Sequence, residues 1–470
     1  MGKNILSEDR FFSPDPTSRG IARELYGEIK NLPIISPHGH TDPAWFSNNY
    51  PFSDPASLLI IPDHYVFRML YSKGVALEKL GIPRLNGEAV EEDPRKIWQI
   101  FADHFYLFAA SPTGAWFNHV FQEVFGIQES FDADTSMAFY DVIDAALKTS
   151  DFLPRNIVDR FQIEVLATTD GVNDSLEHHQ RVKASDWNGR VIPTFRPDSV
   201  TDIATPDWIA NIQDLGEITG KEITSYPALI EALEERRQFF KQHGATSTDH
   251  GVEIPLTLEL SRNECESIFS RALVGESRAD DASRFTAHML MEMARMSIDD
   301  GLVMQIHPGS FRNHNNQLLV NYGTDKGADI PVQTEYTRNL HALLNKYGNN
   351  PKLNLLIFTL DESNYARELA PLAGHYPALK LGPAWWVNDS IEGMTRFRQL
   401  TTETASIYNT VGFNDDTRAL LSIPARHDLS RRVDSNFLAG LVATHRIGMS
   451  TAREMGRALA HDLAKTAYKL

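Results

Sequence analysis

The chain has 470 residues, 42% hydrophobic and 23% charged, enough apolar material for a large core and an ordinary globular balance. Its formal net charge of −17, from 62 acidic against 45 basic residues with no Lys/Arg-rich tract, argues against nucleic acid or an anionic membrane surface as partner. The one cysteine, Cys265, rules out an intramolecular disulfide and a cysteine-rich zinc cluster and fits a reducing compartment.

Residues 1–10 lack the apolar stretch of a signal peptide, and no apolar run approaches the roughly 20 residues needed to span a bilayer. The expectation is a soluble, cytoplasmic protein. The acidic balance also constrains the ligand. An anionic substrate would be repelled at long range, so arginines inside the site would have to reverse the field locally.

In chain order, short β-like runs fall at residues 32–36, 163–168, 190–194, 244–247, 302–306, 353–359, 378–381 and 411–414, which makes eight. Stretches between them carry helical periodicity, as at 287–299 and 333–346. Strand alternating with helix implies parallel pairing, and eight such units predict an α/β fold closed into a (β/α)8 barrel spanning residues 1–470. An open doubly wound sheet is the alternative; its dinucleotide-binding form needs a Gly-x-Gly-x-x-Gly turn, which is missing here. More than 110 residues separate the first two strands. They look helical at 65–80, 95–110, 115–125 and 136–148, which predicts an ordered helical insertion over 50–155, packed across the barrel mouth. Its aromatics Trp98, Phe101, Phe105, Tyr106, Trp116 and Phe117 are expected to form the core of that insertion, and residues 439–470 to form closing helices.

In a parallel barrel, reactive groups collect at the carboxyl ends of the strands. The first strand runs into His38-Gly39-His40. Side chains at i and i+2 leave one face, so both imidazoles aim at one point, and the intervening glycine leaves room for a ligand. Later strands lead to Thr169-Asp170, Arg196-Pro197-Asp198, Asp249-His250, His307 with Arg312 beyond, Asp361, Trp385-Trp386, and Asp416-Thr417-Arg418. Closure sets the eighth strand beside the first, so Asp416 could complete a metal site with His38 and His40, with Arg418 on the same face if the strand persists. A helix N-cap is the competing role for Asp416. His307, from across the barrel, is either a further ligand, a substrate contact or a packed histidine.

His38-Gly39-His40-Thr41-Asp42-Pro43, Asp63-His64-Tyr65, Thr168-Thr169-Asp170 with Asp174-Ser175-Leu176-Glu177-His178-His179, Thr194-Phe195-Arg196-Pro197-Asp198, Ala384-Trp385-Trp386 and Asp416-Thr417-Arg418 together resemble the uronate (glucuronate) isomerase family of the amidohydrolase superfamily. The likeness covers nearly the whole chain. It implies a distorted (β/α)8 TIM-type barrel that interconverts D-glucuronate with D-fructuronate, and D-galacturonate with D-tagaturonate. Departures occur at Thr169-Asp170-Gly171-Val172, at His307-Pro308-Gly309-Ser310 and in the spacing from Arg418 to Arg426-His427.

Such a reaction moves a proton between adjacent carbons through a cis-enediol. It needs a base, a donor to the developing oxyanion and a clamp for the sugar acid's carboxylate. Arg196 and Arg312 suit the clamp, since guanidinium meets carboxylate through paired hydrogen bonds. Asp416, Tyr65, Arg418 and His307 are the catalytic candidates, and Trp386 is placed to stack on the sugar. His64, Glu177, His178, His179, Asp249 and His250 are read as supporting residues. One divalent metal ion is expected on His38, His40 and Asp416; zinc is favoured, with manganese or iron also compatible with such ligands. Two other readings stand beside this one. The first is a metal-dependent hydrolase on the same barrel, weakened because Asp249-His250 replaces the bridging lysine of binuclear sites. The second is a non-enzymatic sugar-acid or metal binder, which would need fewer titratable strand ends. Oligomeric state is not legible, although barrels of this size often associate.

Overall fold

The computed structural model describes residues 6–470; the first five residues of the N-terminal stretch read above lie outside it. Seven strands form the parallel ladder of the barrel: β1 (Ile34–Ser36), β2 (Ile163–Ala167), β3 (Val191–Ile192), β4 (Ser247–Val252), β5 (Val303–Pro308), β6 (Leu355–Ile357) and β7 (Leu379–Leu381). β2 and β3 resume after short breaks as Asp170–Gly171 and Phe195–Arg196. Pairing runs β1 to β2 to β3, then through the resumed segments to β4, β5, β6 and β7, every pair parallel. The short strands are apolar on both faces, as expected where helices cover the outside and side chains fill the inside.

The eighth strand expected at 411–414 is not a ladder strand. A single bridge joins Leu381 to Thr410, Val411 N–H donates to Leu381 O at 3.0 Å, and His40 N–H donates to Thr417 O at 2.9 Å, which closes the ring with isolated bonds. Gly412 at φ +78° and Asp416 at φ +42° take the chain out of β geometry, so no continuous strand carries Asp416 and Arg418 on one face. The fourth strand starts later than the expected 244–247, because Gly244 sits at φ +100°, and Asp249 and His250 therefore lie inside β4 rather than past its end. In the same way β5 extends to Pro308 and includes His307.

The helix expected over 287–299 is Asp281–Asp300, stopped by Gly301 at φ +83°. The one expected over 333–346 shrinks to His341–Tyr347. Upstream, Glu368 accepts from the N–H groups of Tyr336 and Thr337, and Glu335 from those of Arg338 and Asn339, so side chains satisfy the backbone in place of helical bonds.

Between β1 and β2 the chain is helical. Pro43–Asn48, Pro55–Leu59, Pro94–Asp103 and Pro112–His119 each begin with proline, after Asp42, Asp54, Asp93 and Ser111, whose side-chain oxygens accept a backbone N–H of the first turn. The helix expected over 65–80 divides into His64–Tyr71 and a 3-10 turn at Leu77–Leu80, with Gly74 at φ +85° between them. Trp98, Phe101, Trp116 and Phe117 are buried in an aromatic cluster that also packs against Ile34, Ile163 and Leu166 of the barrel, while Tyr106 is exposed. At the C-terminus, the helices Ser422–Ala443, Met449–Arg457 and Leu463–Ala467 close the chain. Two of their residues bear on the barrel directly. Arg431 donates to the carbonyls of Lys30, Leu32 and Pro33, holding the approach to β1, and the Tyr468 hydroxyl donates to Gln305 inside the barrel. No helix among the described residues is long and apolar enough to cross a membrane.

Candidate active site

A cavity of about 1120 Å³ opens at the carboxyl ends of the strands. Its lining includes His38, His40, Tyr65, Arg196, Asp249, His307, Arg312, Trp385, Trp386, Asp416 and Arg418, so every residue singled out from the sequence as metal-binding, catalytic or substrate-binding reaches it.

The floor is built from both ends of the chain. Beyond β1, His38 and His40 turn their rings at 82° to each other with centroids 5.3 Å apart. Gly39 between them lies close to both neighbouring strand ends, where a Cβ would stand in ordinary contact with Ala167 O and Thr417 O, each 3.5 Å away. Asp416 Oδ1 lies 3.2 Å from His40 Nε2 and 3.6 Å from His38 Nε2, and its Oδ2 accepts from Trp385 Nε1 at 2.6 Å. Asp416 does not cap a helix. The following helix begins only at Ser422, and the left-handed backbone at Asp416, unusual for a residue with a side chain, turns the carboxylate toward the histidines.

Burial pushes the Asp416 carboxyl upward, but the hydrogen bond with His40 and the proximity of His38, His40 and His307 outweigh it and hold the group well below the usual carboxylate range. His38 is driven down to about 4, chiefly by burial, and so is a neutral imidazole at physiological pH, as a metal ligand must be. The side-chain atoms of His38, His40 and Asp416 lie within 4.8 Å of one another and can share a cation. His38 Nδ1 and His307 Nε2 are buried with no hydrogen-bond partner in the protein, a further sign that this polar cluster is built around something more than itself.

His307 stacks on His38 at 4.7 Å, between it and Phe358, and its Nδ1 lies 2.6 Å from Asp249 Oδ1. Desolvation raises the Asp249 carboxyl, yet His307, Arg196 and the His307 hydrogen bond together bring it well below its ordinary value. An ionised Asp249 keeps the imidazole proton on Nδ1, leaving the Nε2 lone pair free. His38, Asp249 and His307 form a second set able to hold a metal. Asp249 therefore belongs to the site's floor, where sequence reasoning gave it only a supporting place. The signal was the two-residue period of Ser247, Asp249 and Gly251 in β4, obscured by placing that strand too early.

On the opposite wall, Arg196 Nε donates to Asp198 Oδ2 at 2.9 Å, and its Nη1 lies 3.5 Å from Asp249 Oδ2. Arg312 Nη1 donates to Asp329 Oδ2 at 2.8 Å. The two guanidinium groups meet over Gly251, where a Cβ would fall 2.8 Å from Arg196 Nη2 and 3.5 Å from Arg312 Nη2. Arg418 departs from its expected place: it shares no strand face with Asp416, and its Nη2 lies 3.3 Å from Asp325 Oδ2 at the cavity edge.

Tyr65 enters from the helix His64–Tyr71, whose N-cap is Asp63, and its hydroxyl donates to Asp389 Oδ2 at 3.4 Å. Burial, reinforced by Asp389, raises this hydroxyl well above its ordinary value, so it stays protonated and acts as a donor. Trp386 meets Tyr65 in a T-shaped contact at 6.4 Å and is largely buried while lining the cavity. His64, driven down to about 3 by burial and by Arg418, is neutral. His250 points away from the cavity, fully buried and hydrogen-bonded to Thr248.

A parallel barrel carrying a histidine pair, a facing carboxylate and two converging arginines at its carboxyl end has the layout of a (β/α)8-barrel enzyme. The comparisons with known proteins narrow the class. The family model described as Glucuronate isomerase matches residues 8–467. The chain is 53% identical to the uronate isomerase of Xanthomonas euvesicatoria pv. vesicatoria over the full length of both. Its structure superposes on the glucuronate isomerase from Caulobacter crescentus with a TM-score of 0.97 at 53% identity, covering 99% of this chain and 97% of that one. It also superposes on the uronate isomerase from Thermotoga maritima with a TM-score of 0.92 at 26% identity, covering 98% and 99%. The chain belongs to the glucuronate isomerase family and is an isomerase; the known reaction of that family interconverts glucuronate and fructuronate.

Proposed function

We propose that this enzyme interconverts D-glucuronate with D-fructuronate, and D-galacturonate with D-tagaturonate, through a cis-enediol, in the cytoplasm, as one barrel domain whose helical insertion roofs the site. The observation that carries the reading is the pairing, in one cavity, of a metal-type floor (His38, His40, Asp416) with two arginines converging over Gly251 on the far wall. A hexuronate offers the complementary ends, a carbonyl with adjacent hydroxyls and a carboxylate.

His38, His40 and Asp416 would hold one divalent ion, zinc by the balance of two imidazoles and one carboxylate. When bound, it supplies a Lewis acid that polarises the sugar's carbonyl. Arg196 and Arg312 bind the substrate carboxylate and reverse the chain's repulsion of anions locally. Trp386 contacts the sugar ring from the cavity wall. Proton transfer falls to the floor acceptors, His307 Nε2 and Asp416, while Tyr65 and Arg418 donate hydrogen bonds to the oxygen that gains charge as the enediol forms. For Arg418 this means leaving Asp325, which its partly exposed side chain permits, and for Tyr65 it means turning its single hydroxyl proton from Asp389 to the substrate oxygen.

Incubating the metal-replete protein with either uronate and following ketose formation tests the reading. No turnover of D-glucuronate or D-galacturonate would end it.

A further inference from the structure

Behind Tyr65 lies a buried ion pair between Arg426 and Asp389. Arg426, in the first turns of the helix Ser422–Ala443, donates through Nη1 to Asp389 Oδ2 at 2.8 Å and to the carbonyl of Asp415 at 3.2 Å. Both side chains are about nine-tenths buried. The Asp389 oxygen that accepts from Arg426 also accepts from the Tyr65 hydroxyl, and the guanidinium lies 5.3 Å from the centre of the Tyr65 ring. The Asp415 carbonyl belongs to the peptide leading into the left-handed Asp416, and the Asp415 carboxylate is held by the next helix residue, His427 Nε2, at 3.0 Å. One guanidinium thus touches the mounting of the cavity's tyrosine donor and the mounting of its metal-facing carboxylate.

We propose that Asp389 and Arg426 are positioning residues for the isomerisation: Asp389 aims the Tyr65 hydroxyl, and Arg426 locks Asp389 to the peptide that carries Asp416. Neither lines the cavity. The inference rests on the role assigned to Tyr65 above and extends it: in the free enzyme Asp389 accepts the hydroxyl's single proton and fixes the phenol beside the cavity, and the substrate oxygen then takes that proton over, a placement that a mobile surface carboxylate could not provide. A carboxylate buried only for packing would instead act independently of Tyr65. Non-additivity separates the two cases, since residues acting through one another do not multiply their effects.

The test compares wild-type protein, Asp389→Asn, Tyr65→Phe and the double variant on D-glucuronate under metal-replete conditions. Asp389→Asn keeps shape and removes charge, and kcat should fall about tenfold or more with KM within about threefold. The double variant should be no slower than Tyr65→Phe alone. An Asp389→Asn protein at wild-type kcat, or losses that multiply in the double variant, overturns the proposal. If Asp389→Asn does not fold, Arg426→Lys, alone and with Tyr65→Phe, poses the same question with the same expected non-additivity. Wild-type protein that turns over no uronate overturns the functional reading and this inference with it, a failure distinguished by needing no variant.

Discussion

Gly251→Ala places one methyl group between the two arginines. Gly251 lies inside β4 and avoids the left-handed region, so alanine fits the backbone, and the consequence is confined to what the new Cβ meets. That atom would fall 2.8 Å from Arg196 Nη2, and reaching an ordinary contact of 3.4 Å forces the guanidinium back by about 0.6 Å. The Asp198 carboxylate, 3.1 Å from the same point and bound to Gly251 N–H, must yield too. A misplacement of 1 Å can cost on the order of 100-fold in rate, so about half that displacement corresponds to roughly tenfold in kcat/KM, near 1.4 kcal/mol. With the arginines in their proposed role on the carboxylate, far from the carbonyl being isomerised, most of the loss should appear in KM. Initial rates of ketose formation across a range of D-glucuronate concentrations measure it, with Arg196→Lys as the benchmark for a damaged clamp and thermal melting as the control for folding. A folded Gly251→Ala protein with wild-type KM would show that Arg196 does not bind the carboxylate from this position.

Other outcomes follow from the same geometry. His38→Ala and Asp416→Asn should each lose metal on dialysis against a weak chelator, by elemental analysis; equal retention by either variant rejects the shared site. Trp385→Phe removes the Nε1 donor to Asp416 Oδ2 and should weaken metal affinity about 10- to 100-fold, as loss of a ligand's supporting hydrogen bond generally does, in a competition titration. For Asp428, burial raises the carboxyl, but His119, Arg10 and Arg432 more than compensate and set its folded value below the ordinary one. A depressed carboxyl contributes stability above its unfolded value, near about 4, and loses it as pH falls through the folded value. The melting-temperature advantage of wild type over Asp428→Asn should therefore be full at pH 7 and shrink below about pH 4; a constant difference contradicts the assignment.

Much of this molecule was legible in its sequence because the barrel writes itself in short apolar runs. Residues 32–36, 163–168 and 378–381 announced β1, β2 and β7 within a few positions. His38 and His40 were legible because a two-residue period fixes direction at a strand end. Asp416 was found through chain closure, although for a partly wrong reason: the eighth segment is irregular, and a left-handed backbone, not strand alternation, aims its carboxylate. The same irregularity separates Arg418 from Asp416. Asp249 was given only a supporting place because the expected strand at 244–247 left it past the end with nothing to fix its direction, whereas β4 begins at Ser247 and carries it. Trp385, left between core and site, holds Asp416 through its indole N–H. Asp389 carried no signal and Arg426 entered only through its spacing from Arg418, since a buried ion pair joining a loop to a distant helix leaves no pattern of its own.

The most direct test is to follow D-glucuronate by NMR in D2O with the metal-replete enzyme. The account predicts conversion to D-fructuronate, with solvent deuterium entering the carbon that exchanges its proton in the enediol. An unchanged sugar would contradict it.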